Sequence, residues 1–221
     1  HFTDRRQRQM CIRDRLMAGV LVFLFLLQFI LPAYHHSTFS KIMVLASYAV
    51  GFNILLGYTG LMSLGHAMFF STGMYVTGIC VYHFGLTGIP ALGIGLIITV
   101  FVSMLIGAVA LRTSGVSFLI VTLMFGQTAF LSVLYFDRFT LGQDGFTLTK
   151  ELQPLVLGST AFSYTDPNFK YNAAWLLFAV CLILSNLLIL SPIGRVLIAI
   201  RENEERTQML GYNTYLYKLF A

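Results

Sequence analysis

Long uncharged stretches dominate the pattern of this chain. No Asp, Glu, Lys or Arg occurs in residues 16–34, 42–111, 113–136 or 171–194. A bilayer core takes about 20 apolar residues per helix, so the second stretch must contain several helices. Clusters of glycine and proline at 57–60 and 85–90 mark its breaks. The pattern therefore predicts six membrane spans, near residues 16–32, 42–57, 61–84, 90–111, 115–136 and 172–190.

Composition agrees with an integral membrane protein. Hydrophobic residues make up 57% of the chain, charged residues make up 10%, and the mean hydropathy is +0.78. A soluble domain of this size would lack the polar residues to cover its surface. The predicted fold class is all-α, a polytopic helical bundle with about six transmembrane helices and one cytoplasmic helix.

The basic residues of the short loops predict the orientation in the membrane. The segment after the sixth span is placed in the cytoplasm because it holds four basic residues, Arg195, Arg201, Arg206 and Lys218. Alternation of the spans then puts the N-terminus and Arg112 inside. The loop 137–171 falls outside, and Lys41 also falls on the outer side, against the rule.

The first fifteen residues need separate treatment. They hold five of the fourteen basic residues, and the string from Arg8 to Arg15, RQMCIRDR, resembles a translated sequencing adapter. Residues 1–15 are therefore predicted to be a non-native tail and are set aside. The remaining charge is nearly balanced and implies no nucleic-acid partner. A retained first span is favoured over a cleaved signal peptide, because residues 32–36 offer no small-x-small cleavage site.

One charged helix, residues 191–211, stands apart from the apolar spans. A Ser-Pro pair at its beginning favours a helix start, and its final glycine favours a helix stop. An apolar stripe at helical spacing predicts a docking face, formed by Val196, Ala199, Ile200, Thr207 and Leu210. Glu202 and Arg206 make a favourable pair four residues apart. The alternative is an amphipathic helix lying on the bilayer, which the mixed charge disfavours.

The second concentrated signal is the glycine-rich stretch 51–70. Its small residues either let helices pack closely or permit a helix to break inside the membrane, as in several transporters that bind solutes there. Both interpretations stay open for Gly57 and Gly60, whereas packing is favoured for Ser63 and Gly65. All four are candidate residues of a helix break or a pathway.

Two polar side chains within spans are further pathway candidates. His66 is ionisable and deep in a span, which is by default a sign of function, although a structural bond to a neighbouring carbonyl is favoured. Gln127 either lines a pathway or bonds another helix. The absence of charges within the spans argues against a proton-driven carrier and a charged-substrate channel. The three cysteines lack the spacing of metal ligands or a disulfide framework, so no metal site and no catalytic residue is predicted.

Three motifs carry a resemblance to a known family. They are residues 57–67 (GYTGLMSLGHA), 111–123 (LRTSGVSFLIVTL) and 191–221. In this order they resemble the permease subunit of branched-chain amino acid ABC importers, to which urea and short-amide permeases are closely similar. The resemblance runs from about residue 17 to the end. It implies that such permeases continue past Ala221, so residues 212–221 are expected to begin a truncated further span.

The resemblance implies that residues 191–211 form a coupling helix that sits in a groove of an ATPase. The candidate coupling residues are Arg195, Arg201, Glu202, Glu204, Glu205, Arg206 and Gly211, with Glu204 or Glu205 at the acidic position of the family motif. The chain departs from that motif at Thr207 and Met209, where alanines are usual.

The resemblance also implies a set of partners in a bacterial inner membrane. These are two ATPase subunits that carry ATP and magnesium, a second homologous permease subunit and an external substrate-binding protein. No cofactor is expected on this chain, which would be a transport subunit and not an enzyme. The expected cargo is a branched-chain or other hydrophobic amino acid. The alternatives are an ABC permease for urea or short amides, a channel or secondary carrier without an ATPase, and a structural or assembly protein of the membrane.

Overall fold

The computed structural model describes residues 2–30, 32–146, 155–157, 160–162 and 166–221. The first helices are α1 (Phe2–Ile30), α2 (Ala33–Asn53), a π-helix (Ile54–Tyr58), α3 (His66–Phe84), α4 (Gly88–Ala110), α5 (Val116–Tyr135) and α6 (Asp137–Thr140). Two short strands, β1 (Leu155–Leu157) and β2 (Thr160–Phe162), pair antiparallel. The last helices are α7 (Pro167–Leu190), α8 (Pro192–Glu202), α9 (Glu204–Met209) and α10 (Thr214–Phe220).

Four helical segments of the described chain are long and apolar enough to cross a membrane, namely Tyr34–Tyr58, α4, α5 and α7. The helical membrane fold class is therefore confirmed, with the small hairpin as a local exception. Six spans stay a prediction, since the apolar part of α1, Arg15–Ile30, is shorter and α3 contains many polar and small residues. Helix α1 begins at Phe2 and runs without a break through the predicted tail.

The chain divides into two compact units. Unit 1 comprises residues 1–50 and 165–187, and its buried cluster joins α2 to α7 through Met43, Tyr171, Ala174 and Phe178. The Tyr171 hydroxyl donates to the Leu24 carbonyl, and Trp175 Nε1 donates to the Leu21 carbonyl at 3.0 Å.

Tyr171 and Trp175 lie near the start of α7. In the structure Tyr171 is only 1% exposed, and both side chains bond the backbone of α1. Their polar atoms therefore serve the packing of unit 1.

Unit 2 comprises residues 51–164 and 188–221. Its helices α3 and α4 lie so close together that a Cβ added to Gly95 would lie 2.3 Å from Thr77 Oγ1. Cys80, Val81 and Ala91 form the buried cluster between the two helices. Small residues at a contact let two membrane helices approach each other. The packing of α3 against α4 is extensive and supports the site described below.

The segment predicted as one charged helix is two helices. Helix α8 ends at Glu202, and Asn203 takes an extended conformation with φ −159° and ψ 105°. The Asn203 side chain then accepts a hydrogen bond from Arg206 N at 3.0 Å and so caps α9. Glu202 and Arg206 are thus on different helices, and the predicted pairing along one helix is wrong.

The predicted external loop, 137–171, begins with the short helix α6. A turn follows in which Asp144 N donates to the Leu141 carbonyl at 3.2 Å. Phe146 lies over Gly78 of α3, where an added Cβ would come within 2.5 Å of its ring. Residues 147–154, 158–159 and 163–165 of the loop lie outside the described residues.

Candidate functional site: a helix break joined to the charged segment

The glycine-rich stretch contains a real interruption of the helix. The π-helix Ile54–Tyr58 follows α2 directly, and the chain then runs without regular structure until α3 begins at His66. Gly60 has φ +74°, a left-handed conformation that glycine adopts readily and other residues rarely adopt. Of the two interpretations left open for Gly57 and Gly60, the structure therefore supports a break.

Hydrogen bonding at the break is rearranged around Leu55. The Leu55 carbonyl accepts from both the Thr59 hydroxyl and Leu61 N, the latter at 3.3 Å. In a regular α-helix Leu61 N would instead donate to the carbonyl of Gly57, four residues earlier. The Gly57 carbonyl consequently loses its helical donor at the point where the helix stops.

Arg201 supplies a replacement donor from the charged segment. Its Nη1 lies 2.5 Å from the Gly57 carbonyl oxygen, and the two residues are 144 positions apart in the sequence. The aliphatic part of the same side chain crosses Gly60, where an added Cβ would lie 2.9 Å from Arg201 Cγ. Two groups of predicted residues, the break and the coupling segment, thus meet within unit 2.

Local packing fixes the position of α8. Ser191 Oγ accepts from Gly194 N at 3.3 Å and caps the helix, as predicted from the Ser-Pro pair. Leu197 and Ile200 are buried. Gly194 is required by the tight approach of α8 to the end of α7, since a Cβ there would lie 2.5 Å from the carbonyl oxygen of Ile189.

Glu204 is also bound within the chain. Its Oε1 lies 2.5 Å from Lys218 Nζ of α10, and the side chains of Glu204 and Lys218 are 40% and 12% exposed. The neighbouring Glu205 is exposed. Of the two carboxylates that match the acidic position of the motif, Glu205 is therefore the one presented to solvent.

The other predicted coupling residues lie on the outside of the segment. Four charged residues and the terminal glycine are exposed, namely Arg195, Glu202, Glu205, Arg206 and Gly211. Gly211 has φ +89°, which suits its place after the end of α9. The segment thus presents charges of both signs around the bend at Asn203.

The predicted apolar stripe lines a groove in place of a continuous face. Val196, Ala199, Thr207 and Leu210 border a cavity of about 450 Å³, together with Tyr212 and Tyr217. Ile200, the fifth residue of the stripe, is buried. Leu210 and the adjacent Met209 are 76% and 85% exposed, so the stripe ends in an exposed apolar tip.

Ser63, Gly65 and His66 lie where the break meets α5. Ser63 and His66 line a cavity of about 310 Å³ with Thr99, Ser103 and Thr122, and residues 218–221 also belong to its lining. Gly65 is in close contact with α5, because a Cβ would lie 2.3 Å from the Thr122 carbonyl oxygen. The His66 ring contacts Phe52 and Phe69, with centroid distances of 5.5 and 6.2 Å.

Gln127 is separated from this cavity. It is exposed and lines a different groove, between α3 and α5, with Tyr75, Ser71 and Thr72. The six predicted pathway residues therefore do not form one site. Gly57 and Gly60 contact Arg201, Ser63 and His66 line the cavity, Gly65 packs against Thr122, and Gln127 faces elsewhere.

Sequence reasoning missed three residues that shape the site. Thr122 accepts from Leu64 N at 3.3 Å and donates to the Leu119 carbonyl at 3.0 Å, and no local pattern indicates this role. The sequence indicates Lys218 only as a basic residue after the sixth span, and not as the partner of Glu204. Asn203 had a usable signal, because Asn followed by two glutamates is typical of a helix start.

Metal chemistry finds no support in the described part of the chain. No group of three or more His, Cys, Asp and Glu side chains there could hold a metal ion. Cys80 is buried and Cys181 is half-buried, and both are free thiols.

Comparison with known proteins identifies the family. The profile of the branched-chain amino acid transport system, permease component, matches residues 35–221. The high-affinity branched-chain amino acid transport system permease protein LivM of Escherichia coli (strain K12) is 29% identical over 193 residues, and its counterpart in Salmonella typhimurium (strain LT2) is 28% identical over 192 residues. Each alignment covers 78% of this chain, which spans only 45% of the length of either relative. No solved structure matches the chain. The chain belongs to the permease component family of branched-chain amino acid transport systems.

Proposed function

We propose that this chain is the permease subunit of an ATP-driven importer that moves branched-chain or other hydrophobic amino acids across a bacterial inner membrane. Its family is that of a multi-pass membrane transport subunit and not of an enzyme. Two ATPase subunits would bind ATP and magnesium, and this chain would supply no catalytic residue. Both relatives are permease proteins of branched-chain amino acid transport, which supports the choice of cargo.

The observation that carries the proposal is the family match over residues 35–221, and the bond between Arg201 and the Gly57 carbonyl indicates the route of coupling. This bond joins the polar segment to a membrane helix at the place where that helix is interrupted. Closure of the ATPases would move α8 and α9, and the joined break would pass that movement into the membrane helices. Such a displacement shifts the protein between states open to opposite sides of the membrane.

The ATPase contact is assigned to the exposed charges of the segment. Arg195, Glu202, Glu205 and Arg206 are exposed on α8 and α9, and mixed charges of this kind favour orientation and specificity at an interface. The apolar tip formed by Met209 and Leu210 would supply burial beside them. Gly211 would set the end of this contact through its left-handed conformation.

The remaining partners follow from the orientation. The loop 137–171 would face outside and receive solute from a binding protein, while a second permease subunit would complete the path. The cavity lined by Ser63 and His66 contains both hydroxyl groups and apolar side chains, and the apolar ones include Leu55, Phe69 and Phe118. That lining suits a small solute with an apolar side chain and polar ends.

Reversing the charge of Glu205 tests the coupling assignment. Glu205→Arg is expected to lower both ATPase co-purification and leucine uptake, because an exposed carboxylate becomes a cation within the proposed interface. Co-purification from detergent-solubilised membranes and uptake of radiolabelled leucine measure the two effects. The control is Asp166→Arg, the same reversal at an exposed acid that precedes α7, for which ATPase co-purification should stay normal.

Three results would contradict the proposal. Normal co-purification and uptake with Glu205→Arg would remove the coupling role of this segment. Uptake that continues after loss of every ATPase partner would indicate a channel or secondary carrier. Uptake of urea or short amides in preference to leucine would keep the ATP-driven mechanism and replace the cargo.

A further inference from the structure

We propose that Arg201 is a positioning residue that holds the break in its interrupted conformation, and that it does so as a releasable link between α8 and the membrane helix. This inference rests on the proposed function. It assigns Arg201 a partner within its own chain, whereas the Arg195 and Arg206 side chains are exposed on the surface of the segment.

The backbone at the break has two available arrangements. In the structure Leu61 N donates to the Leu55 carbonyl at 3.3 Å, and the Gly57 carbonyl accepts from Arg201. If Gly60 rotated from φ +74° into the right-handed region, Leu61 N would be able to return to the Gly57 carbonyl as in a regular helix. Glycine tolerates both conformations, so the stretch is suited to a two-state element.

Arg201 distinguishes between these two arrangements. Its guanidinium supplies the donor that the Gly57 carbonyl lacks in the interrupted state, so the bond favours that state. A ligand or contact can shift an equilibrium only by differential interaction with its two states. The Arg201 bond meets this requirement, because in the continuous helix the same oxygen would already have a donor and would gain less from a second one.

The packing of the Arg201 side chain adds a second constraint. Its Cγ lies 2.9 Å, and its Cβ 3.7 Å, from the position that a Cβ on Gly60 would occupy. The absence of a side chain at residue 60 therefore lets the arginine stem cross the break and reach Gly57. Gly60 is needed both for its positive φ and for this space.

The exposure of Arg201 makes the link reversible. The residue is exposed, so water can take over its hydrogen bonds when α8 moves away. A fully buried arginine would leave an unpaired charge on release. We therefore expect the bond to form and break during each transport cycle, with the ATPases driving the displacement of α8.

A mutant cycle between residues 60 and 201 tests the link in the full importer. The variants are Gly60→Ala, Arg201→Ala and the double variant, with leucine uptake, its KM and Vmax, and ATP hydrolysed per leucine as the readouts. Arg201→Ala is expected to lower leucine carried per ATP about tenfold, within the range by which single residues change coupling. ATP hydrolysis itself should continue, since the ATPase contact is retained.

Two matched controls separate the link from general damage. Gly85 also has a positive φ, +60°, but an added Cβ there meets nothing within 4 Å, so Gly85→Ala reports backbone strain alone. Arg112 is exposed between α4 and α5, so Arg112→Ala reports loss of a positive charge alone. Gly60→Ala should lower coupling more than Gly85→Ala, and adding it to Arg201→Ala should cause little further loss.

Conservative variants then divide the contact into its parts. Arg201→Met keeps an aliphatic stem over Gly60 and removes the donors, so it should resemble Arg201→Ala. Arg201→Lys keeps a charged donor and should restore part of the coupling. If Arg201→Ala fails to reach the membrane, the comparison of Gly60→Ala with Gly85→Ala decides the question by itself.

The outcomes distinguish this inference from the proposed function. Wild-type uptake that depends on ATP, combined with equal coupling in Arg201→Ala and Arg112→Ala, would overturn the link and leave the importer assignment standing. Additive losses in the mutant cycle would overturn it as well. Wild-type uptake that does not depend on ATP would overturn the proposed function, and the inference with it.

Discussion

Units 1 and 2 use the same type of long-range bond for different ends. In unit 1 the Tyr171 hydroxyl donates to the Leu24 carbonyl, 147 residues away. In unit 2 the Arg201 guanidinium donates to the Gly57 carbonyl, 144 residues away. The helix that contains Leu24 is continuous, whereas the helix that contains Gly57 is interrupted. The first bond is thus added to an intact helix, and the second replaces a helical bond that is missing.

The surroundings of the two donors differ accordingly. Tyr171 belongs to a buried cluster with Met43, Ala174 and Phe178, so its hydroxyl cannot exchange its partner for water without opening that cluster. Arg201 is exposed and can exchange its partner freely. The comparison teaches that a buried donor suits permanent packing, whereas an exposed donor bonded to an interrupted helix suits a contact that forms and breaks.

Disrupting the contact between Gly65, next to the break, and Thr122 of α5 should have the largest effect on stability. Gly65→Ala would place a Cβ 2.3 Å from the Thr122 carbonyl oxygen, and backbone atoms at this distance must move apart. Overpacking of this kind costs about 1–3 kcal/mol. We expect less folded protein and a lower midpoint in thermal unfolding in detergent. Gly93→Ala in α4, where nothing lies within 4 Å, is the control and should leave the midpoint unchanged or raise it.

Removing the hydroxyl of Tyr171 should have an intermediate effect. Tyr171→Phe keeps the ring in its cluster and leaves the Leu24 carbonyl within a continuous helix, so no bare acceptor results. Hydrogen bonds between membrane helices contribute about 0.6 kcal/mol on average, and the free energy of unfolding should fall by a similar amount, which a lower midpoint in thermal unfolding would show. Transport per ATP should stay at the wild-type level. A large change in that ratio would contradict the view that unit 1 contains only permanent packing at this position.

The ion pair between Glu204 and Lys218 should have the smallest effect. The side chains of Glu204 and Lys218 are 40% and 12% exposed, and many ion pairs near the surface contribute nothing measurable to stability. Glu204→Gln should therefore lower the unfolding midpoint only slightly, and the difference from wild type should shrink at high salt. A shift that is large or insensitive to salt would show that Glu204 has a role beyond this pair, for instance in the contact assigned to Glu205.

The sequence predicted the elements of unit 2 better than their connections. Charge-free stretches and glycine clusters correctly indicated α4, α5 and the interruption near Gly57, since membrane length and backbone freedom are local properties. The predicted single helix over 191–211 is wrong because Asn203 ends α8 and caps a second helix, α9. The separate location of Gln127 could not be predicted either, since the face a helix presents depends on its neighbours.

What the sequence determined by itself was the class of protein, its helical segments and its family. Hydropathy, glycine positions and motifs are all read along the chain, and they need no knowledge of distant contacts. Only the tertiary structure decided that Arg201 bonds Gly57, that Glu204 pairs with Lys218, and that Glu205 is the exposed carboxylate. The physical reason is that each of these outcomes depends on which groups are brought together in space. A charged residue has many possible partners along the chain, and packing selects one of them.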